Sequence, residues 1–167
     1  MPARACAIRR GELPHFTCQI QYLSDRETEE CNVITFKEVV VSNRVFGTAI
    51  NCMDGRVQIP VTNWLKSHYG VDYVDMITEP GPVRFLAEGK DPWVVASIRR
   101  RLEVSVNRHK SELVAVVGHH DCAGNPVPKE TQLEQILAAI KVVRGWDFKV
   151  RVTGLWVNEN WEVQEVN

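Results

Sequence analysis

Leu113-Val114-Ala115-Val116-Val117-Gly118-His119-His120-Asp121-Cys122 is the stretch on which the reading of this sequence turns. It opens with an uncharged, Val-rich run that has the length and composition of a strand buried on both faces. Four polar, chemically capable side chains follow at once. Towards the N-terminus, residues 45–52 (VFGTAINC) read as a second short buried strand ending at Cys52, and residues 71–78 (VDYVDMIT) as a third. Between them Pro60 fits the first position of a helix carrying Val61, Trp64, Leu65 and His68, with Gly70 placed to stop it. Asp91 and Pro92 form an N-cap and first-turn pair, after which Val95, Ile98, Leu102 and Val106 recur at helical spacing as far as about residue 108. Towards the C-terminus, Leu133, Ile136, Leu137, Ile140 and Val143 make one stripe of a helix over residues 129–144. Strands over 148–157 and 161–166 finish the chain. This alternation predicts an α/β fold with a mainly parallel central sheet flanked by helices and an antiparallel C-terminal edge. Ligands gather at the carboxyl ends of strands in such sheets, which is where Cys52 and the cluster from His119 to Cys122 fall.

The remaining chain reads less sharply. Residues 1–31 are polar and irregular and read as an N-terminal arm, leaving 32–167 as a single α/β domain. Residues 33–36 and 39–41 suggest one or two further strands, and Glu79-Pro80-Gly81-Pro82 opens a loop, because two prolines and a glycine remove donors and favour turns. With 167 residues, folding should bury roughly 70% of the unfolded surface, enough for a core without disulfides. Lys and Arg number 20 against 21 Asp and Glu, so no global charge favours a nucleic-acid or membrane partner. No apolar window is long enough for a membrane span, and the first residues lack a secretion signal, so a cytoplasmic location is expected. There the five cysteines read as thiols or metal ligands rather than disulfides.

Zinc takes thiolate and imidazole ligands, and a catalytic site supplies three of them and leaves a fourth place for water. Cys52, His119 and Cys122 would supply those three, since His-x-x-Cys sets two side chains close together and a parallel sheet brings a second strand end beside them. The segments Cys52-Met53-Asp54-Gly55-Arg56 and Gly118-His119-His120-Asp121-Cys122 resemble the two signatures of β-class carbonic anhydrases, Cys-x-Asp-x-Arg and Gly-His-x-x-Cys, in the same order. The α/β alternation from about residue 44 onward, with its ending Val152-Thr153-Gly154-Leu155-Trp156, is similar too.

The resemblance implies a Zn2+ enzyme with Cys52, His119 and Cys122 as metal ligands and Asp54 and Arg56 as the catalytic dyad beside the fourth position. Its reaction would be the reversible hydration of CO2 to bicarbonate by zinc-bound hydroxide. If the dyad opened, Asp54 would itself bind zinc, which in the family is an inactive, pH-dependent form. The family also implies a homodimer or larger homo-oligomer, with the N-terminal segment wrapping the partner. Two departures bear on substrate. The family's Arg-Asn-Ala-Gly/Ala stretch is replaced by Thr78-Glu79-Pro80-Gly81-Pro82-Val83-Arg84, and the usual Cys-Gly by Cys122-Ala123-Gly124. Hydrolysis of a related small molecule, COS or CS2, is therefore the alternative on the same scaffold. A noncatalytic zinc protein with Asp54 as permanent fourth ligand is another, and a redox pair of Cys52 and Cys122 a third.

Other features have plainer readings beside functional ones. Without the motif around them, Asp54 and Arg56 would read as a loop-stabilising salt bridge. His120 is either a proton shuttle or an exposed residue capping its turn. Cys6, His15, Cys18 and Cys31 lack paired Cys-x-x-Cys knuckles and read as free thiols before a second zinc site. Arg99-Arg100-Arg101 reads as a solvated helix face rather than a phosphate site. Trp64, Trp93, Trp146, Trp156 and Trp161 read as core or subunit-interface anchors. Gln58 has no assigned place.

Overall fold

The computed structural model describes residues 44–166. The arm over 1–31, the strands suggested at 33–36 and 39–41, and Cys6, His15, Cys18 and Cys31 lie outside the described residues. The elements run β1 (Phe46–Cys52), α1 (Gly55–Tyr69), β2 (Tyr73–Glu79), α2 (Pro82–Glu88), α3 (Pro92–Arg108), β3 (Leu113–His119), α4 (Lys129–Arg144), β4 (Arg151–Val157) and β5 (Val163–Val166). They form a five-stranded sheet of order β2-β1-β3-β4-β5. β1 pairs in parallel with β2 and β3, β3 with β4 likewise, and β5 closes the edge antiparallel to β4. The mixed sheet is therefore the one the sequence pattern predicts.

Strand alternation divides the core between the two faces. Val114, Val116, Val152 and Trp156 pack with Ile98 and Leu102 of α3 and Ile136 and Ile140 of α4. Leu113, Ala115, Val117 and Leu155 pack with Val57, Val61 and Leu65 of α1. Burying each such Val, Leu or Ile stabilises the fold by about 1.5–3 kcal/mol. Covering both faces of β3 leaves all seven of its residues buried, the physical reason for its continuous apolar run.

Three local expectations are corrected. Pro60 does not start α1 but lies inside it. The helix begins five residues earlier because the Asp54 carboxylate accepts the Arg56 N–H at 2.9 Å and caps it. The helix runs on through Pro60, which is too far in for its N–H to be one of the unused ones of the first turn, and stops where expected, at Gly70 in the left-handed conformation (φ 65°). The segment after Glu79 is not wholly a loop, because Pro82 opens α2: its fixed φ suits a first helical position, where its N–H would go unused anyway. Arg101 is not part of a solvated face, since its guanidinium bonds the Thr78 carbonyl and the Glu79 carboxylate at the end of β2. Arg99 and Arg100 are exposed, as is His68, while Ser105 takes a buried place on α3 beside the expected Val106.

The order of strands decides where chemistry can sit. From β1 the chain moves to β2 on one side and then crosses to β3 on the other. That reversal opens a crevice at the carboxyl ends of β1 and β3. Their ladder ends at Ile50 and Val116, so Cys52 and His119 lie beyond the last paired position.

Candidate metal centre

Cys52 ends β1, His119 ends β3, and Cys122 follows one turn later. Their ligand atoms lie within 4.8 Å of one another and all three residues are buried. The two sulfurs are 3.8 Å apart. The carbonyl of His120 accepts from His119 Nδ1 at 2.7 Å, which leaves Nε2 as the free nitrogen. That Nε2 is buried and has no hydrogen-bond partner among the described residues. A buried imidazole nitrogen without a partner is costly unless something binds it.

These atoms could hold a divalent metal. A tetrahedral zinc with Zn–S bonds of about 2.3 Å sets its two sulfurs about 3.8 Å apart, and the observed separation agrees. The set of two thiols and one imidazole is soft and borderline, the chemistry zinc prefers. Cys52 is pulled well below the usual thiol range, first by the hydrogen bond from Cys122, against its own burial, with His119 and the backbone N–H groups of Asp54 and Gly81 adding to the effect. Cys122 is pushed up by sharing its proton with Cys52 and by burial. Burial would lower His119, but the neighbouring Cys52 thiolate outweighs it and the net shift is upward.

Asp54 stands at the N-terminus of α1, and its oxygens are engaged by Arg56. Oδ1 accepts from the Arg56 backbone N–H and from Nε (3.0 Å), and Oδ2 accepts from Nε (3.1 Å) and Nη2 (2.6 Å). This guanidinium holds the Asp54 carboxyl down at about 2, so it is ionised at neutral pH. Asp54 is not one of the three residues whose ligand atoms cluster within 4.8 Å.

Several residues that support this geometry were not singled out as such by sequence. Gln58 donates to the carbonyls of Cys52 and Asp54 and so braces the turn between them. Gln132 of α4 donates to the His119 carbonyl at 3.0 Å. Its signal was present: it occupies the buried stripe otherwise made by Ile136, Ile140 and Val143, and a polar residue there needs a partner. Asp121, read only as a variable position, has φ 53° and accepts from Arg56 Nη1 at 3.2 Å. Trp161 lies under the Arg56 guanidinium, 4.6 Å from ring centre to Cζ. His120 is exposed, with its backbone N–H donating to the Val157 carbonyl. Gly81 and Gly124 press backbone against backbone: a Cβ on Gly124 would meet the Pro80 carbonyl carbon at 2.4 Å. The altered loop is thereby packed onto the turn that carries Cys122.

Fold and site together define an α/β protein with a Cys/His/Cys cluster at the switch point of its sheet. The chain belongs to the family described as "Putative carbonic anhydrase", whose sequence profile matches residues 42–167. Similar solved structures include the carbonic anhydrase from Glaciozyma antarctica, 14% identical over 75% of this chain and 82% of that one, with a TM-score of 0.50. Another is a tetrameric β-carbonic anhydrase from the filamentous ascomycete Sordaria macrospora, 13% identical over 74% of this chain and 81% of that one, with a TM-score of 0.49. At such identities the first likeness speaks for the fold. No curated protein sequence matches the chain. Among the described residues no helix is long and apolar enough to cross a membrane.

Proposed function

We propose that this chain is a zinc-dependent carbonic anhydrase interconverting CO2 and bicarbonate, with Cys52, His119 and Cys122 holding the metal and Asp54 and Arg56 beside its fourth position. The observation that carries this reading is the meeting of two thiols with a buried imidazole nitrogen that has no partner among the described residues, beside a carboxylate held ionised. Zinc in such a site supplies a Lewis acid that lowers the pKa of water at the open position. Two thiolates and a neutral imidazole offset its charge more than three imidazoles do, whose bound water titrates near pH ~7, so an alkaline optimum is expected.

The chain's own residues do the rest. His119 presents Nε2 because Nδ1–H is committed to the His120 carbonyl. Arg56 keeps Asp54 charged, and Asp54 accepts a hydrogen bond from the attacking water, which fixes the water's orientation towards CO2. Gly81 and Asp54 offer N–H groups to the Cys52 sulfur, and Gly124 and Asn125 offer theirs to Cys122, spreading thiolate charge into the backbone. A homodimer or larger assembly belongs to the same proposal: Met53 and Ile59, flanking the dyad in sequence, are 64% and 70% exposed, and apolar side chains so placed suit a subunit contact.

Stopped-flow CO2 hydration at alkaline pH, on protein of measured zinc content with Cys52→Ala as control, tests the reaction. A rate far above buffer that disappears in the control is expected. A zinc-replete protein without rate overturns the assigned reaction and makes COS and CS2 the next substrates to assay, because the replaced loop at 78–84 sits against the Cys122 turn.

A further inference from the structure

The tethers of Asp54 form a chain of dependence that leads away from the metal centre. Among the described residues, the hydrogen bonds to its carboxylate come from the Arg56 side chain and backbone N–H. Among the described residues, Arg56 in turn has two anchors besides Asp54. Asp121 accepts twice, at its carboxylate (3.2 Å from Nη1) and at its backbone carbonyl (3.3 Å from Nη2). Trp161 offers its ring face at 4.6 Å. The second contact from Asp121 depends on its left-handed backbone (φ 53°), a conformation Asp and Asn adopt more readily than other side-chain-bearing residues. The guanidinium fork is thus spread over three residues from three parts of the chain: the turn after β1, the His-x-x-Cys turn, and the connection between β4 and β5.

We propose that Asp121 and Trp161 are positioning residues that clamp Arg56 over Asp54 and so keep the Asp54 carboxylate from taking the fourth position at the Cys52, His119 and Cys122 centre. The inference rests on the metal reading of that centre. Asp54 follows Cys52 by two residues, and a carboxylate is a competent zinc ligand. What holds it outside the cluster is Arg56, and Arg56 stays in place only while moving would break its other contacts. The anchors are on the surface, with Arg56 and Asp121 side chains 45% and 69% exposed, so each contributes modestly.

The test uses the full chain loaded with Co(II) and titrated with azide, followed by the visible d–d bands. Azide takes the fourth position only in molecules where Asp54 is absent from it, so its apparent affinity falls with the fraction that is open. Asp121→Asn retains the backbone preference and loses the carboxylate; Trp161→Leu loses the aromatic face. Each is expected to weaken azide binding about two- to fivefold, and the double variant about tenfold, the scale of exposed ion-pair and cation–π contacts. The sign is diagnostic, since removing the Asp121 charge by itself would tighten binding of an anion. Repeated in an Asp54→Asn background, the weakening should vanish, because the competing carboxylate is gone.

Parent-like or tighter azide binding in both single variants overturns the clamp. So does a weakening that persists with Asp54→Asn, which would report a general disturbance of the site. A parent protein that takes up no Co(II) overturns the metal reading and the clamp with it. Co(II) protein that binds azide but does not hydrate CO2 overturns the reaction alone, and the azide series still decides the clamp.

Discussion

The two ends of the central sheet each hold a cluster of polar side chains with a histidine, His119 buried at one end and His109 exposed at the other, and among the described residues they differ in how many partners are missing. Towards the amino ends of β1 and β2, Thr48 Oγ1 lies 2.6 Å from Ser105 Oγ and 2.8 Å from Ser111 Oγ. Ser105 donates to Asp75 at 2.6 Å, His109 Nδ1 lies 2.7 Å from the same oxygen, and Ser111 donates to the Leu113 carbonyl. Every hydroxyl there is satisfied. At the carboxyl ends, His119 Nε2 has no partner among the described residues and two cysteine sulfurs face each other at 3.8 Å. Ser105, His109 and Asp75 are the residue types of a nucleophile with its base. Asp75 accepts from both of the others, however, so the histidine is not placed to receive the serine proton. One network ties α3 to β1 and β2; the other leaves a buried nitrogen without a partner among the described residues. Unmet bonding capacity separates the candidate metal centre from the structural end of the sheet.

The comparison can be broken most severely at His119. His119→Ala should reduce zinc from about one per chain to near zero and lower CO2 hydration by at least ~100-fold, read by elemental analysis and stopped flow. Zinc retained at parent level in that variant would remove the carboxyl end as a metal site. Next comes Gly124→Ala, whose added Cβ meets backbone rather than a movable side chain. It should cost about 3 kcal/mol in urea unfolding and lower zinc content as well, because the turn carrying Cys122 must shift. Parent-like stability would mean the Pro80 loop yields easily.

The structural end should respond differently. Thr48→Val removes a hydroxyl whose two serine neighbours each keep another acceptor, so the loss should be about 1 kcal/mol with zinc content and CO2 hydration unchanged. A fall in zinc content would show that the two ends are coupled. The smallest effect belongs to Glu165 at the β5 edge, a second satisfied cluster, where Thr153 and Tyr69 hydroxyls donate to Oε1. Those bonds, Thr153 first, hold the carboxyl below its ordinary 4.5. A lowered carboxyl stabilises the fold fully above its unfolded value and loses that contribution as pH falls through the folded one. Glu165→Gln should therefore cost under about 1 kcal/mol at neutral pH, a difference from the parent that shrinks to nothing in acid, measured by urea unfolding across pH. A cost that stays constant with pH would assign it to packing.

Much of this was legible because the signals are local. The run from Leu113 to Val117 is apolar without alternation, as suits a strand covered on both faces. Asp91 and Pro92 mark the start of α3 because a cap needs a short acceptor and a first turn tolerates proline. Pro60 misled for the same reason: read locally it is a starting signal, and only the carboxylate of Asp54, reaching to Arg56 N–H, reveals the earlier cap. Arg101 was read with its neighbours as a solvated run because a charge's partner on another element has no local trace.

By itself, then, the sequence determined the kind of fold and offered the candidate ligands, since strand and helix periods and the spacing of His119 and Cys122 are properties of neighbours along the chain. The tertiary structure decided which of those side chains meet and which are left wanting a partner. Crossing from β2 to β3 sets Cys52 beside His119, Gly81 against Gly124 lays the loop on the Cys122 turn, and Asp121 and Trp161 reach Arg56 from distant segments. Those are distances through space between residues far apart in sequence, and only the packing of the sheet and its helices fixes them.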